Sequence, residues 1–103
     1  MKTLNKRITC NDGFELSIQA NSGAYCHPRV DDADAYMEVE IGYPSEKDDL
    51  IMAYAEQPSR PTETVYAYVP VNLVYLLLTK HGGIKDGEVP RGVLYYENKF
   101  KRR

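Results

Sequence analysis

The sequence predicts an α+β fold: one small domain holding a four- to five-stranded, mostly antiparallel sheet with two helices on one face. Three observations carry that expectation. Apolar and polar residues alternate over several short runs, the period turns helical twice, and no shift in composition divides the 103 residues. The length suits a single domain over residues 1–103, of which 98–103 form a basic, candidate disordered tail.

The elements follow in order. Asn11-Asp12-Gly13 marks a turn between two strand-like runs. A two-residue loop over Asp12 and Gly13 would set Cys10 opposite Glu15 and Ile8 opposite Ser17, apolar against polar. A three-residue loop with Gly13 left-handed sets Cys10 opposite Phe14, Thr9 opposite Glu15 and Ile8 opposite Leu16. Only the second gathers Ile8, Cys10, Phe14, Leu16 and Ile18 on one face, so the pattern selects it and sends Cys10 to the core. Residues 21–35 have no period and read as a loop of functional length. Met37, Val39 and Ile41 then alternate with Glu38 and Glu40, a third strand with one wet face.

Ser45 as N-cap, Glu46, Asp48 and Asp49 in a first turn, and the stripe Leu50, Ile51, Tyr54 and Ala55 predict a first helix ending near Gln57-Pro58. Val65, Ala67 and Val69 against Thr64, Tyr66 and Tyr68 predict a fourth strand with its tyrosines outward. Pro70 opens a second helix, apolar on nearly every side over residues 71–78 and stopped by Gly82. A helix so apolar needs cover on more than one side, from the first helix, the C-terminal segment or a second copy of the chain, the last a homo-oligomer through the helix from Leu73 to Leu78. Val93-Leu94-Tyr95-Tyr96 predicts a last strand.

Composition narrows the function classes. Two cysteines cannot build a disulfide scaffold, which points to a reducing cytoplasm. No run approaches the roughly 18 apolar residues of a membrane span, and the first residues lack a signal peptide's apolar stretch. A net charge of −2 gives no overall bias toward nucleic acid or membrane. The charge is uneven, however. Residues 31–49 hold eight carboxylates against Lys47, while residues 80–103 hold seven cations against three acids. The acids read either as solvated faces or as a patch for a cationic partner.

Chemistry-bearing constellations are sparse. Tyr25-Cys26-His27-Pro28-Arg29 offers a thiol, a base and an anion holder, yet neighbours on an extended segment point opposite ways, so a Cys26 enzyme would need His81 as its base. Cys10, Cys26, His27 and His81 lack the close pair spacing of structural zinc, and Asp31, Asp32 and Asp34 lack the rest of a calcium loop. No catalytic residue, metal or cofactor is assigned. His81-Gly82-Gly83 follows a helix and reads as its cap, where a phosphate loop would precede one. The tyrosines stand out: nine of them, against two phenylalanines and no tryptophan. Tyrosine is enriched at protein interfaces. Tyr25, His27, Arg29, Asp31, Asp32, Asp34, Tyr36, Glu38, Glu40, Tyr66 and Tyr68 are therefore the candidate partner-binding surface.

Five stretches also carry a resemblance. Asn11-Asp12-Gly13-Phe14-Glu15-Leu16-Ser17-Ile18-Gln19-Ala20, Tyr25-Cys26-His27-Pro28-Arg29, Val39-Glu40-Ile41-Gly42-Tyr43-Pro44-Ser45, Val65-Tyr66-Ala67-Tyr68-Val69-Pro70 and His81-Gly82-Gly83 together resemble a family of short tailed-phage and prophage proteins. The resemblance spans most of residues 8–84 and brings no catalytic residue with it. It implies a small accessory protein in the cytoplasm of a bacterial host during infection. By analogy with anti-CRISPR proteins, it implies an inhibitor of a host defence protein or ribonucleoprotein complex. The runner-up is an oligomeric sponge that sequesters a nucleotide signal of host immunity, and a small Cys-dependent enzyme comes third. The basic tail, with Lys99, Lys101, Arg102 and Arg103, would give only unspecific nucleic-acid attachment.

Overall fold

The computed structural model describes residues 4–93. Strands β1 (Ile8–Cys10), β2 (Glu15–Gln19) and β3 (Glu38–Gly42) are followed by a 3₁₀ turn (Met52–Tyr54), strand β4 (Val65–Pro70), helix α1 (Val71–Lys80) and strand β5 (Ile84–Asp86). They make a five-stranded sheet of order β4-β3-β2-β1-β5, antiparallel at every junction.

The first hairpin has the register its apolar pattern demands. Ile8 pairs with Leu16 and Thr9 with Glu15, and Gly13 takes a φ of 95° that a β-carbon would resist. The Cys10 N–H donates to the Phe14 carbonyl at 2.8 Å to close the loop, and Asp12 steadies it by accepting the Phe14 N–H at 2.9 Å. Ile8, Cys10, Phe14, Leu16 and Ile18 all enter the core. In β3, Val39 and Ile41 face inward and Glu38 and Glu40 are half-buried on the other side.

Helix α1 links the two edges of the sheet. Ten residues rise about 15 Å, and four inter-strand gaps span about 19 Å. The Gly82-Gly83 turn supplies the remainder. The Gly83 N–H closes the helix on the Leu78 carbonyl at 2.8 Å, with Gly82 at a φ of 89°. Val74, Leu77 and Leu78 are buried against the sheet while Leu76 stays 52% exposed. β5, which sequence pattern did not mark, completes the sheet beside β1.

Four expectations need correction. Met37, expected on one face with Val39 and Ile41, lies just ahead of β3 and is 65% exposed. The first helix does not form: residues 45–57 hold only the 3₁₀ turn, leaving one α-helix among the described residues. Its capping groups are engaged elsewhere. The Ser45 hydroxyl accepts the Glu15 N–H at 2.9 Å and the Ser45 N–H donates to the Glu15 carbonyl, extending the pairing of β2 with the chain beyond β3 in place of capping a helix. Asp48 is drawn into the interior, as described below. Side chains that bond other segments compete with local helix formation.

Tyr66, expected outward, is fully buried, and its hydroxyl donates to the Pro61 carbonyl at 2.6 Å. The cause is a β-bulge. Val39 pairs with Val69 and Ile41 with Tyr66, so Ala67 and Tyr68 together oppose Glu40. The extra residue turns Tyr66 inward while Val69 keeps the core. Tyr36, also expected outward, is 5% exposed, its hydroxyl donating to the Val30 carbonyl at 2.7 Å and accepting the Ala33 N–H. It pins the 30–36 loop from within. The last strand, apart from Val93, and the basic tail lie outside the described residues; Val93 itself is a buried turn residue.

Candidate functional site

The bulge in β4 also organises the surface above it. Tyr68 has a φ of 55°, a left-handed conformation uncommon for an aromatic residue. Its N–H, turned out of the ladder, donates to the Tyr25 carbonyl at 3.0 Å. The Tyr25 N–H in turn points at Glu40, the residue the bulge faces, at 3.4 Å. These backbone ties set the Tyr25 and Tyr68 rings 6.0 Å apart, tilted by 32°, with both exposed. The Arg29 guanidinium stands 5.2 Å from the Tyr25 ring centre, within cation–π range. His27 pairs its backbone with Glu38 through reciprocal N–H to carbonyl bonds, placing both at the margin of this patch.

Of the eleven candidates, the structure therefore brings together Tyr25, Tyr68 and Arg29, with Glu40, His27 and Glu38 beside them. It does not bring the rest. Tyr36 and Tyr66 are core residues. Asp31 accepts the Ser22 N–H at 2.8 Å within its own loop, and Asp34 is exposed. Asp32, also at a left-handed φ of 55°, lines a separate cleft with Arg91.

Cys26 is held away from chemistry. It is 1% exposed, its thiol lies 3.2 Å from the Asn21 carbonyl and 3.4 Å from that of Pro28, and burial pushes its pKa upward. Burial likewise pushes Cys10 up to about 11, with Asp12 adding to the effect. His81 is committed elsewhere, so it serves neither thiol as a base.

That commitment is the cluster the sequence reading missed. His81 is 6% exposed and stacks on Phe14, ring centres 3.8 Å apart and planes within 9°. Its Nδ1 meets Asp12 Oδ2 at 2.7 Å and its Nε2 meets Asp48 Oδ2 at 2.8 Å. Lys80 adds a bond to Asp48 at 3.1 Å, and the Leu50 N–H donates to the same carboxylate at 2.9 Å. Carboxylates at both ring nitrogens are both satisfied only when each nitrogen carries an N–H, so the geometry favours the imidazolium form. Burial acts to lower the His81 pKa, but the bonds to Asp48 and Asp12 outweigh it and the net shift is upward. Burial likewise acts to raise Asp48, and His81, the Leu50 N–H and Lys80 reverse it. Asp12 is lowered first by the Phe14 N–H and then by His81. The cluster ties the hairpin tip, the 45–57 segment and the end of α1 into one body. Its partners lie 69 and 33 residues from His81, which no local pattern announces.

Among the described residues, no group of three His, Cys, Asp or Glu side chains is placed to hold a metal ion, and no helix is long and apolar enough to cross a membrane. Outward, the molecule presents among its exposed residues an aromatic pair with a cation, Tyr68 held in a strained conformation. Compared with known proteins, the chain matches no family model, no curated protein and no solved structure.

Proposed function

We propose that this chain is a non-catalytic docking domain, a small phage-encoded inhibitor that binds a protein or ribonucleoprotein complex of host defence in the manner of anti-CRISPR proteins. The observation that supports the reading is the Tyr25–Tyr68 pair, two exposed rings 6.0 Å apart, Tyr68 on a strained bulge and Tyr25 on the facing loop with Arg29 alongside. Rigid tyrosines give large contact area at small entropic cost, and Arg is enriched with them at binding hot spots. Backbone held in a sparsely populated conformation concentrates at functional surfaces. Glu38 and Glu40 supply the acidic margin that a positively charged nucleic-acid channel would meet. Asp31, Asp32 and Asp34 lie on the neighbouring loop and contribute longer-range attraction, which raises association rate more than affinity.

The test is inhibition of purified nucleic-acid-guided nucleases by the wild type and by the double variant Tyr25→Ala, Tyr68→Ala. The double variant is expected to stay folded by circular dichroism and to lose inhibition. Undiminished inhibition by that variant removes the docking reading. A nucleotide retained in the native mass of protein taken from signalling cells would instead move the assignment to sequestration of a small signal.

A further inference from the structure

A cleft of about 230 Å³, lined by neither Tyr25 nor Tyr68, carries Asn5, Asn21, Asp32, Val89, Pro90 and Arg91 on its wall. We propose that it binds a small zwitterion of the α-amino-acid type, with Arg91 taking the carboxylate and Asp32 the ammonium.

The argument begins with charge. Asp32 and Arg91 share one cleft without forming an ion pair with each other. Arg91 has one long bond, Nη1–H to the Ala33 carbonyl at 3.4 Å, which leaves the face of the guanidinium fork available among the described residues. The Asp32 carboxylate has no partner among them. Asp32 lines the cleft from a left-handed backbone, φ 55°, a conformation that a short acid tolerates better than most residues. A ligand with opposite charges at fixed separation satisfies both ends at once, and a guanidinium matches a carboxylate bidentately.

Polar groups within the wall extend the match. Asn21 is 4% exposed and its Oδ1 accepts the Gly23 N–H at 2.8 Å, leaving Nδ2 without a partner among the described residues. Asn5 is fixed by Gln19, which accepts its N–H and donates to its carbonyl, both at 2.8 Å. Val89 and Pro90 give the apolar side. The wall is rigid where it needs to be: the Tyr36 N–H donates to the Arg91 carbonyl at 3.0 Å and the Tyr36 ring is buried. Size selects the class. Drug-sized ligands occupy about 300–1,000 Å³, so this cleft suits a smaller molecule of amino-acid dimensions with a compact side chain. Asp32 is the one residue the cleft shares with the docking reading, where it adds only longer-range attraction; neither Tyr25 nor Tyr68 lines the cleft, so the titration below tests it apart from docking.

Nuclear magnetic resonance titration of the full chain with free amino acids, their N-acetyl forms and their amides tests the assignment. At least one compact amino acid is expected to shift the amides of residues 21, 32, 33 and 91 at millimolar concentration. N-acetylation and amidation are each expected to weaken binding by at least about tenfold, the size of a lost charge-assisted bond. Asp32→Asn should erase the discrimination against the N-acetyl form, and Arg91→Gln the discrimination against the amide. Both side chains are exposed, so neither variant threatens the fold. Failure of every free amino acid to shift those amides, or equal binding of blocked and unblocked forms, overturns the proposal, as does binding untouched by both variants.

Discussion

Phe14, His81, Asp12, Asp48 and Lys80 make one cluster of rings, cations and carboxylates; Tyr25, Tyr68, Arg29 and Glu40 make another. The ingredients are alike and the settings differ. In the first, the imidazole is almost wholly buried and both its nitrogens are bonded. In the second, the rings are exposed and held by their own backbone, with side chains left for a partner. A buried ring and carboxylate with their polar atoms bonded, as in His81 and Asp48, rigidify the fold, whereas the same chemistry at the surface contributes little to stability and remains available for recognition. The contrast sets a buried, bonded His81 against exposed Tyr25 and Tyr68 rings, the pair on which the proposed docking rests.

The largest effect should come from breaking the buried cluster. His81→Ala leaves Asp48 buried with only Lys80 and the Leu50 N–H, and removes the Phe14 stack. Losing one member of a buried charged set costs about 3–5 kcal/mol, a large share of the roughly 5–15 kcal/mol of a small domain. Urea unfolding should show a sharply lower midpoint. A shift below about 1 kcal/mol would mean that the cluster is decoration.

At the surface the balance should reverse. Tyr25→Ala and Tyr68→Ala are each expected to weaken a true partner by about 2 kcal/mol or more, near thirtyfold in Kd, while stability moves little. Calorimetry against the partner and thermal unfolding, run side by side, separate the two quantities. Tyr substitutions that cost as much stability as His81→Ala would erase the distinction.

Titration gives a smaller and signed effect. His81 has its folded pKa raised above the ordinary 6.5, so its contribution is complete below that value and is lost as pH climbs through the folded one. Asp12 and Asp48 are lowered below 3.8, so theirs is present above that value and fades as pH falls through the folded ones. Stability should thus be greatest between about pH 4 and 6.5, with a loss on the alkaline side that Phe14, Lys80 and both carboxylates in place cannot prevent. Deprotonation sacrifices one bond and keeps the other, so the drop should be less than that of His81→Ala. An alkaline limb identical in wild type and His81→Gln would assign it to another group.

The finest probe is Tyr68→Gly. A left-handed non-glycine residue costs about 1–2 kcal/mol, and glycine's extra freedom in the unfolded chain offsets about 0.5–1 kcal/mol of the relief. Stability should stay level or rise slightly while docking is lost with the ring. A clear fall in Tm would show that the Tyr68 side chain is structural.

About half of the candidate surface was legible in the sequence. Tyr25, His27 and Arg29 were readable because the aperiodic 21–35 stretch carries them together, and Glu38 and Glu40 because β3 alternates cleanly. Tyr66 was not, because one inserted residue in β4 reverses a face and nothing in Val65-Tyr66-Ala67-Tyr68-Val69 marks which residue will bulge. Tyr36 was not, because its hydroxyl finds the Val30 carbonyl inside the loop, and tyrosine accepts burial once that bond is made.

By itself the sequence determined what depends on neighbours along the chain: the hairpin register through Gly13, the inward faces of Val39 and Ile41, and the stop of α1 at Gly82. Turn chemistry acts within a few residues, and side-chain period holds where no inserted residue shifts the register, as it does in β2 but not in β4. Only the tertiary structure decided that Ser45 and Asp48 would bond Glu15 and His81 in place of capping a helix, and that a bulge would lift Tyr68 toward Tyr25. Those outcomes turn on which distant donor reaches a carboxylate or carbonyl first in space, and the free energy of a buried charged bond exceeds the propensities that local pattern records.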